Sequence, residues 1–162
     1  MKNFLLGAAL ILGLAMPAAA KNFAVPDKDP AVVLSVPDTW DTEEIAYGYS
    51  AWSPGKDVFF SVEFASGANV KGMQKNNETW MKENDINAEI QPQEVEMDFN
   101  GIKGQVLRFD TTDANGKTLV DFVIIPAGKQ RVVMLTLWGS PEERKKHNAA
   151  IDQIMNSVRP IN

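Results

Sequence analysis

The chain carries one histidine and no cysteine. Any nucleophile–base pair or imidazole-bound metal must therefore use His147, and thiolate nucleophiles, disulfides and cysteine-ligated metals are excluded. His147 falls on the inner stripe of a C-terminal helical pattern, with Glu143 one turn earlier. That position reads as a packing residue, and the acidic helix start accounts for Glu143 without catalysis. A hydrolase using His147 is kept only as an alternative; the expectation is no enzyme.

Two other groups of side chains could bind something. Glu94, Glu96 and Asp98 alternate, so on a strand they share one face. Three carboxylates could attract a hard cation, but residues in a line do not converge on one ion, and no Asp-x-Asp-x-Asp-Gly loop is present. No metal or cofactor is expected. Outward acids on a strand guard an edge against pairing, or form a docking stripe for a basic partner. The tryptophans are Trp40, Trp52, Trp80 and Trp138. Trp80 and Trp138 read as core. Trp40, in a loop beside Pro37-Asp38, and Trp52, at a strand end, are candidate partner anchors. If two tryptophans share a cleft, it could hold an apolar or sugar ligand.

The element that must organise these residues is the run 130–138, Gln-Arg-Val-Val-Met-Leu-Thr-Leu-Trp. It is apolar on both faces, so a strand here needs cover on both sides. Short strands are expected at 32–36, 45–52 and 58–65. Residues 70–84 read as a helix with Val70, Met73, Asn77, Trp80, Met81 and Asn84 on one side; its two asparagines suggest only partial cover of the sheet. Residues 89–99, 102–110, 118–125 and 130–138 form a meander, with Pro92 at a sheet edge or before pairing begins and Asn100-Gly101 as a type I′ turn. Ser140-Pro141-Glu142-Glu143 is a capping box that starts a helix running to about Val158. Its buried stripe is His147, Ile151, Ile154 and Val158; Arg144, Lys145, Asn148, Asp152 and Asn156 are expected to face water. The order is β-β-β-α-β-β-β-β-α. The fold class expected is α+β, an α/β/α sandwich with a mainly antiparallel sheet of about seven strands.

The chain opens Met-Lys-Asn, runs apolar from Phe4 to Met16, and continues Pro17-Ala18-Ala19-Ala20. A cationic start, an apolar stretch too short to span a bilayer and an Ala-x-Ala site make a secretory signal peptide, residues 1–20, cut between Ala20 and Lys21. Lys2 is the only charge it removes, which takes the net charge from −5 to −6. Residues 21–31, with Pro26 and Pro30, read as an extended leader, and residues 32–162 as a single domain. Without cysteine there is no lipid-bearing residue after the cut. The product is expected in the periplasm of a bacterium or outside the cell, with no stable membrane span. Charges are mixed and net acidic, with no basic run, which argues against nucleic acid.

Val36-Pro37-Asp38-Thr39-Trp40, the hairpin and helix that follow, the Asn100-Gly101-Ile102-Lys103-Gly104 meander and the closing amphipathic helix together resemble the PsbP-like superfamily, which includes DcrB-like bacterial envelope proteins. The resemblance covers most of the chain after the signal. It implies a non-catalytic accessory or assembly role, as a binder of another envelope protein. A small-ligand carrier with an aromatic-lined cavity is the alternative.

Overall fold

The computed structural model describes residues 19–161. The expected signal peptide, apart from Ala19 and Ala20, lies outside the described residues. Among the described residues ten strands and three α-helices follow, with one 3-10 turn at Pro54–Lys56: β1 (Ala20–Val25), β2 (Val32–Pro37), β3 (Asp41–Ile45), β4 (Gly48–Trp52), β5 (Phe59–Ser66), α1 (Val70–Glu83), β6 (Gln93–Phe99), β7 (Ile102–Asp113), β8 (Gly116–Ala127), β9 (Arg131–Gly139), α2 (Pro141–Lys146), α3 (Asn148–Ser157) and β10 (Arg159–Pro160).

The main sheet has seven strands in the order β3-β4-β5-β9-β8-β7-β6, and a second sheet has three, β1-β2-β10. Every pairing is antiparallel. The doubly apolar run is β9, in the middle of the main sheet between β5 and β8. Val133, Leu135 and Leu137 join Phe60, Val62, Val123 and Ile125 in one core, closed by Val32, Leu34 and Val36 of the small sheet and by Ile151 and Ile154 of α3. Met134 and Val132 face the other way, with Ala65, Val120 and Phe122, under Met73, Trp80 and Met81 of α1. Helices thus cover both faces, the α/β/α sandwich of the α+β class, with the small sheet sharing one layer.

Local differences from the sequence reading have physical causes. The stretch 45–52 is two strands, because a tight turn at Ala46-Tyr47 pairs Ile45 with Gly48. Gly48 permits this: a Cβ there would lie 2.0 Å from the Val62 carbonyl oxygen. The last helix is broken at His147, whose φ of −102° and ψ of 11° leave the α-helical region. The 21–31 segment is built into the fold: β1 pairs along β2, and Val25 and Ala31 are fully buried. Pro92 falls just before β6, where its missing N–H costs no ladder bond.

Candidate binding surfaces

β6 is one edge of the main sheet. Its Asn100-Gly101 turn has φ values of 55° and 86°, the type I′ geometry that matches strand twist. Glu94, Glu96 and Asp98 share one face, as their alternation requires, and each is engaged locally. Gln105 Nε2 donates to Glu94 at 2.9 Å, Lys103 Nζ to Glu96 at 2.7 Å, and Gly101 N to Asp98 at 2.8 Å. The opposite face carries Val95 and Met97, 48% and 39% exposed, the exposed large hydrophobics among the described residues. Beside Met97 runs a groove of about 330 Å³ between the sheet and α3, lined by Val106, Val123, Leu135, Leu137, Ile151 and Met155.

One end of this groove is polar. Arg108 grips Asp121 with two bonds, at 2.7 and 2.9 Å, and Arg144 Nη1 donates to the same carboxylate at 2.7 Å. Arg144 Nη2 also donates to the carbonyl oxygens of Leu119 and Leu137. Burial pushes the Asp121 carboxyl up, but the two guanidinium groups outweigh it and hold it below its usual range. Arg144, expected in water, instead has a side chain only 11% exposed. The reason is Asp121, a carboxylate on a strand face that α2 covers. The helical pattern around Arg144 contains no sign of it.

Trp40 is not a surface anchor: it is 1% exposed. Its N–H closes a turn on the Pro37 carbonyl at 3.0 Å, and its ring stands edge-on to His147, centroids 6.2 Å apart. His147 Nε2 lies 3.2 Å from Asp57 Oδ2, which Lys146 also contacts. Those hydrogen bonds, Lys146 first and His147 second, hold the Asp57 carboxyl low. The histidine thus pins the α2–α3 joint to the loop before β5. Among the described residues no group of three or more His, Asp and Glu side chains is placed to hold a metal ion.

Trp52 does share a cleft. With Phe59, Trp80 and Trp138 it closes a ring of four aromatic contacts, centroids 5.0 to 5.8 Å apart. Trp52 and Trp138 border a cleft of about 380 Å³ with Asp113, Asn115, Lys117 and Glu142 on its rim. The Trp138 indole donates to Asp113 at 3.2 Å. The strand pattern alone reads Trp138 as core. Only the cross-strand register, which sets Trp52, Phe59 and Trp138 in one row, reveals its part in the cleft.

On the α1 face the helix leaves β7 and β8 partly open, forming a groove of about 380 Å³ over Leu107, Phe109, Phe122 and Ile124. Nearby Glu63 is 5% exposed, with Asn77 Nδ2 donating to it at 3.1 Å. Burial pushes this carboxyl up, and the Asn77 bond opposes it only in part.

No family model matches the chain, and no curated protein matches it in sequence. Solved structures do match. The solution structure of cyanobacterial PsbP (CyanoP) from Synechocystis sp. PCC 6803 is similar with a TM-score of 0.61 at 11% identity, over 96% of this chain and 98% of that chain. A crystal structure from Bacteroides thetaiotaomicron VPI-5482 is similar with a TM-score of 0.58 at 9% identity, over 88% of this chain and 48% of that one. The chain has a PsbP-like fold, and at these identities the likeness is one of fold.

Proposed function

From the PsbP-like fold as premise, we propose that this protein is an exported, soluble, non-catalytic accessory or assembly protein that binds another protein in the bacterial periplasm or cell envelope. The observation that carries the reading is the pairing of a free sheet edge with exposed apolar side chains. Val95 and Met97 stand in water beside an apolar groove. Burying an aliphatic side chain contributes about 1.5–3 kcal/mol when complete, so covering this half-exposed pair favours association. The signal-like start and the absence of a lipid-bearing cysteine support the address. His147, held by Asp57 and shielded by Trp40, is accounted for as a joint in the fold.

A second reading, a small-ligand carrier, is favoured by the cleft that Trp52 and Trp138 share. Its rim offers both donors and acceptors around indole edges, a chemistry that suits a sugar or a small polar aromatic molecule.

Site-specific photo-crosslinking in the native cell separates the two. A photoreactive residue at Met97 is expected to trap one defined protein, while the same residue at Lys75, on α1, traps none. If Met97 captures nothing and native mass spectrometry finds a small molecule that Trp52→Ala releases, the carrier reading replaces the first.

A further inference from the structure

The free edge of β6 specifies its partner more closely than an apolar patch would. Antiparallel hairpins alternate hydrogen-bonded and non-bonded pairs, and a type I′ turn makes the closing pair a bonded one. Phe99 pairs with Ile102 at that turn, so Phe99, Met97, Val95 and Gln93 aim their N–H and C=O groups at β7. Glu94, Glu96 and Asp98 aim theirs outward, and among the described residues no strand and no loop meets them. The residues with free backbone groups are thus the ones with carboxylates, and those between them, Val95 and Met97, are apolar on the opposite face.

We infer that this edge takes up an extended segment of a partner protein as an eighth strand, and that the segment alternates basic and apolar residues. The inference rests on the protein-binding reading above and names the partner's chemistry. Side chains directly opposite on adjacent strands interact, opposite charges favourably and like charges unfavourably. Residues of the added strand on the carboxylate face must therefore be lysine or arginine. Those on the other face meet Val95, Met97 and the mouth of the apolar groove. The Glu96–Lys103 bridge does not block the exchange, since both side chains are more than 60% exposed at 64% and 71%, and such a pair holds weakly.

A second copy of this chain fits poorly. An antiparallel β6–β6 pair in register sets carboxylate against carboxylate, which repels. The other edge, β3, shows what a merely defended edge looks like: Asp41, Glu43 and Glu44 are exposed, with no exposed large apolar side chain among them. β6 combines the acids with an apolar face, and acids alone would have served for defence.

The test uses the exported protein and a labelled nonapeptide alternating lysine and valine, read by fluorescence anisotropy. Saturable binding is expected, weakened by salt and absent for a peptide alternating glutamate and valine. A peptide with the same residues in two blocks should bind at least about tenfold more weakly, since about half of its charges then face Val95 and Met97 instead of the carboxylates. Glu96→Pro removes an outward N–H and leaves the β7 ladder whole; it should weaken binding roughly tenfold, against a few-fold for Glu96→Gln. N-methylation of the peptide's alternate amides makes the same cut on the ligand, so the result stands even if Glu96→Pro misfolds. Amide exchange at Glu94, Glu96 and Asp98 should slow in the complex.

Equal binding of the alternating and block peptides, equal binding of the N-methylated one, or no binding at all overturns the inference. If Met97 still crosslinks to a protein while the alternating peptide does not bind, the strand-addition inference falls and the protein-binding reading stands. If both fail, both fall.

Discussion

Glu63 and Asp121 are both carboxyls in the interior, 5% exposed each, and they pull stability in opposite directions with pH. Burial raises the folded-state pKa of Glu63 above its ordinary 4.5. Its contribution is therefore complete below that value and is lost as pH rises through the folded value. Glu63→Gln should stabilise the protein at neutral pH, by about 1.4 kcal/mol for each pH unit separating the two values, and the gain should vanish near pH 4 in paired denaturation curves. Asp121 is the reverse: burial raises it, but Arg108 and Arg144 outweigh burial and hold it below 3.8. Its contribution is present above that value and is lost as pH falls through the folded one. Asp121→Asn leaves the largely buried Arg144 charge uncompensated and should cost about 3–5 kcal/mol at neutral pH, seen as a lower denaturation midpoint. Neither burial was legible. Glu63 alternates with Val62 and Phe64, which reads as a strand with one wet face, whereas α1 dries that face as well.

At the scale of elements, the local signals that carry their own chemistry were the ones that could be read. The Ser140 capping box forms in full, with Ser140 Oγ accepting from Glu143 N at 3.3 Å and Glu143 Oε2 accepting from Ser140 N at 2.8 Å. Ser140→Ala should cost about 1 kcal/mol in thermal or chemical unfolding. What the pattern hid was the break at His147, since the apolar spacing continues through it. The break is made by contacts from elsewhere, Asp57 and Trp40. The prolines of segment 21–31 likewise read as an extended leader. Yet Phe23 packs on Tyr49 with ring centroids 4.8 Å apart, and Val25 is fully buried. A chain begun at Asp27 should lose several kcal/mol, on the order of 2–5 for the buried side chains removed, measured against one begun at Lys21.

The whole molecule is tied by contacts far apart in sequence. β5 pairs with β9, and β10 closes on β2, with Ile161 N donating to the Ala31 carbonyl at 2.8 Å and Gly128 N to the Ile161 carbonyl at 2.9 Å. Among the described residues, both core clusters draw side chains from the first and the second half of the chain. Unfolding should be a single transition, with tryptophan fluorescence and far-ultraviolet circular dichroism superimposing in urea; separated midpoints would contradict it. Trp40 reports the small-sheet layer and Trp80 the α1 layer, so the fluorescence samples both faces.

The sequence by itself determined the class, the central strand, the first helix and the Asn100-Gly101 turn. Periodicity, capping and turn residues act over a few neighbours and so are written locally. It also determined the alternation of Glu94, Glu96 and Asp98 with Val95 and Met97. Only the tertiary structure decided which edge stayed free, which carboxylates went inside, that Trp40 was core, and that Trp52 met Trp138. Those outcomes depend on which strand lies beside which and what covers each face. That is a matter of long-range pairing, which no local spacing encodes.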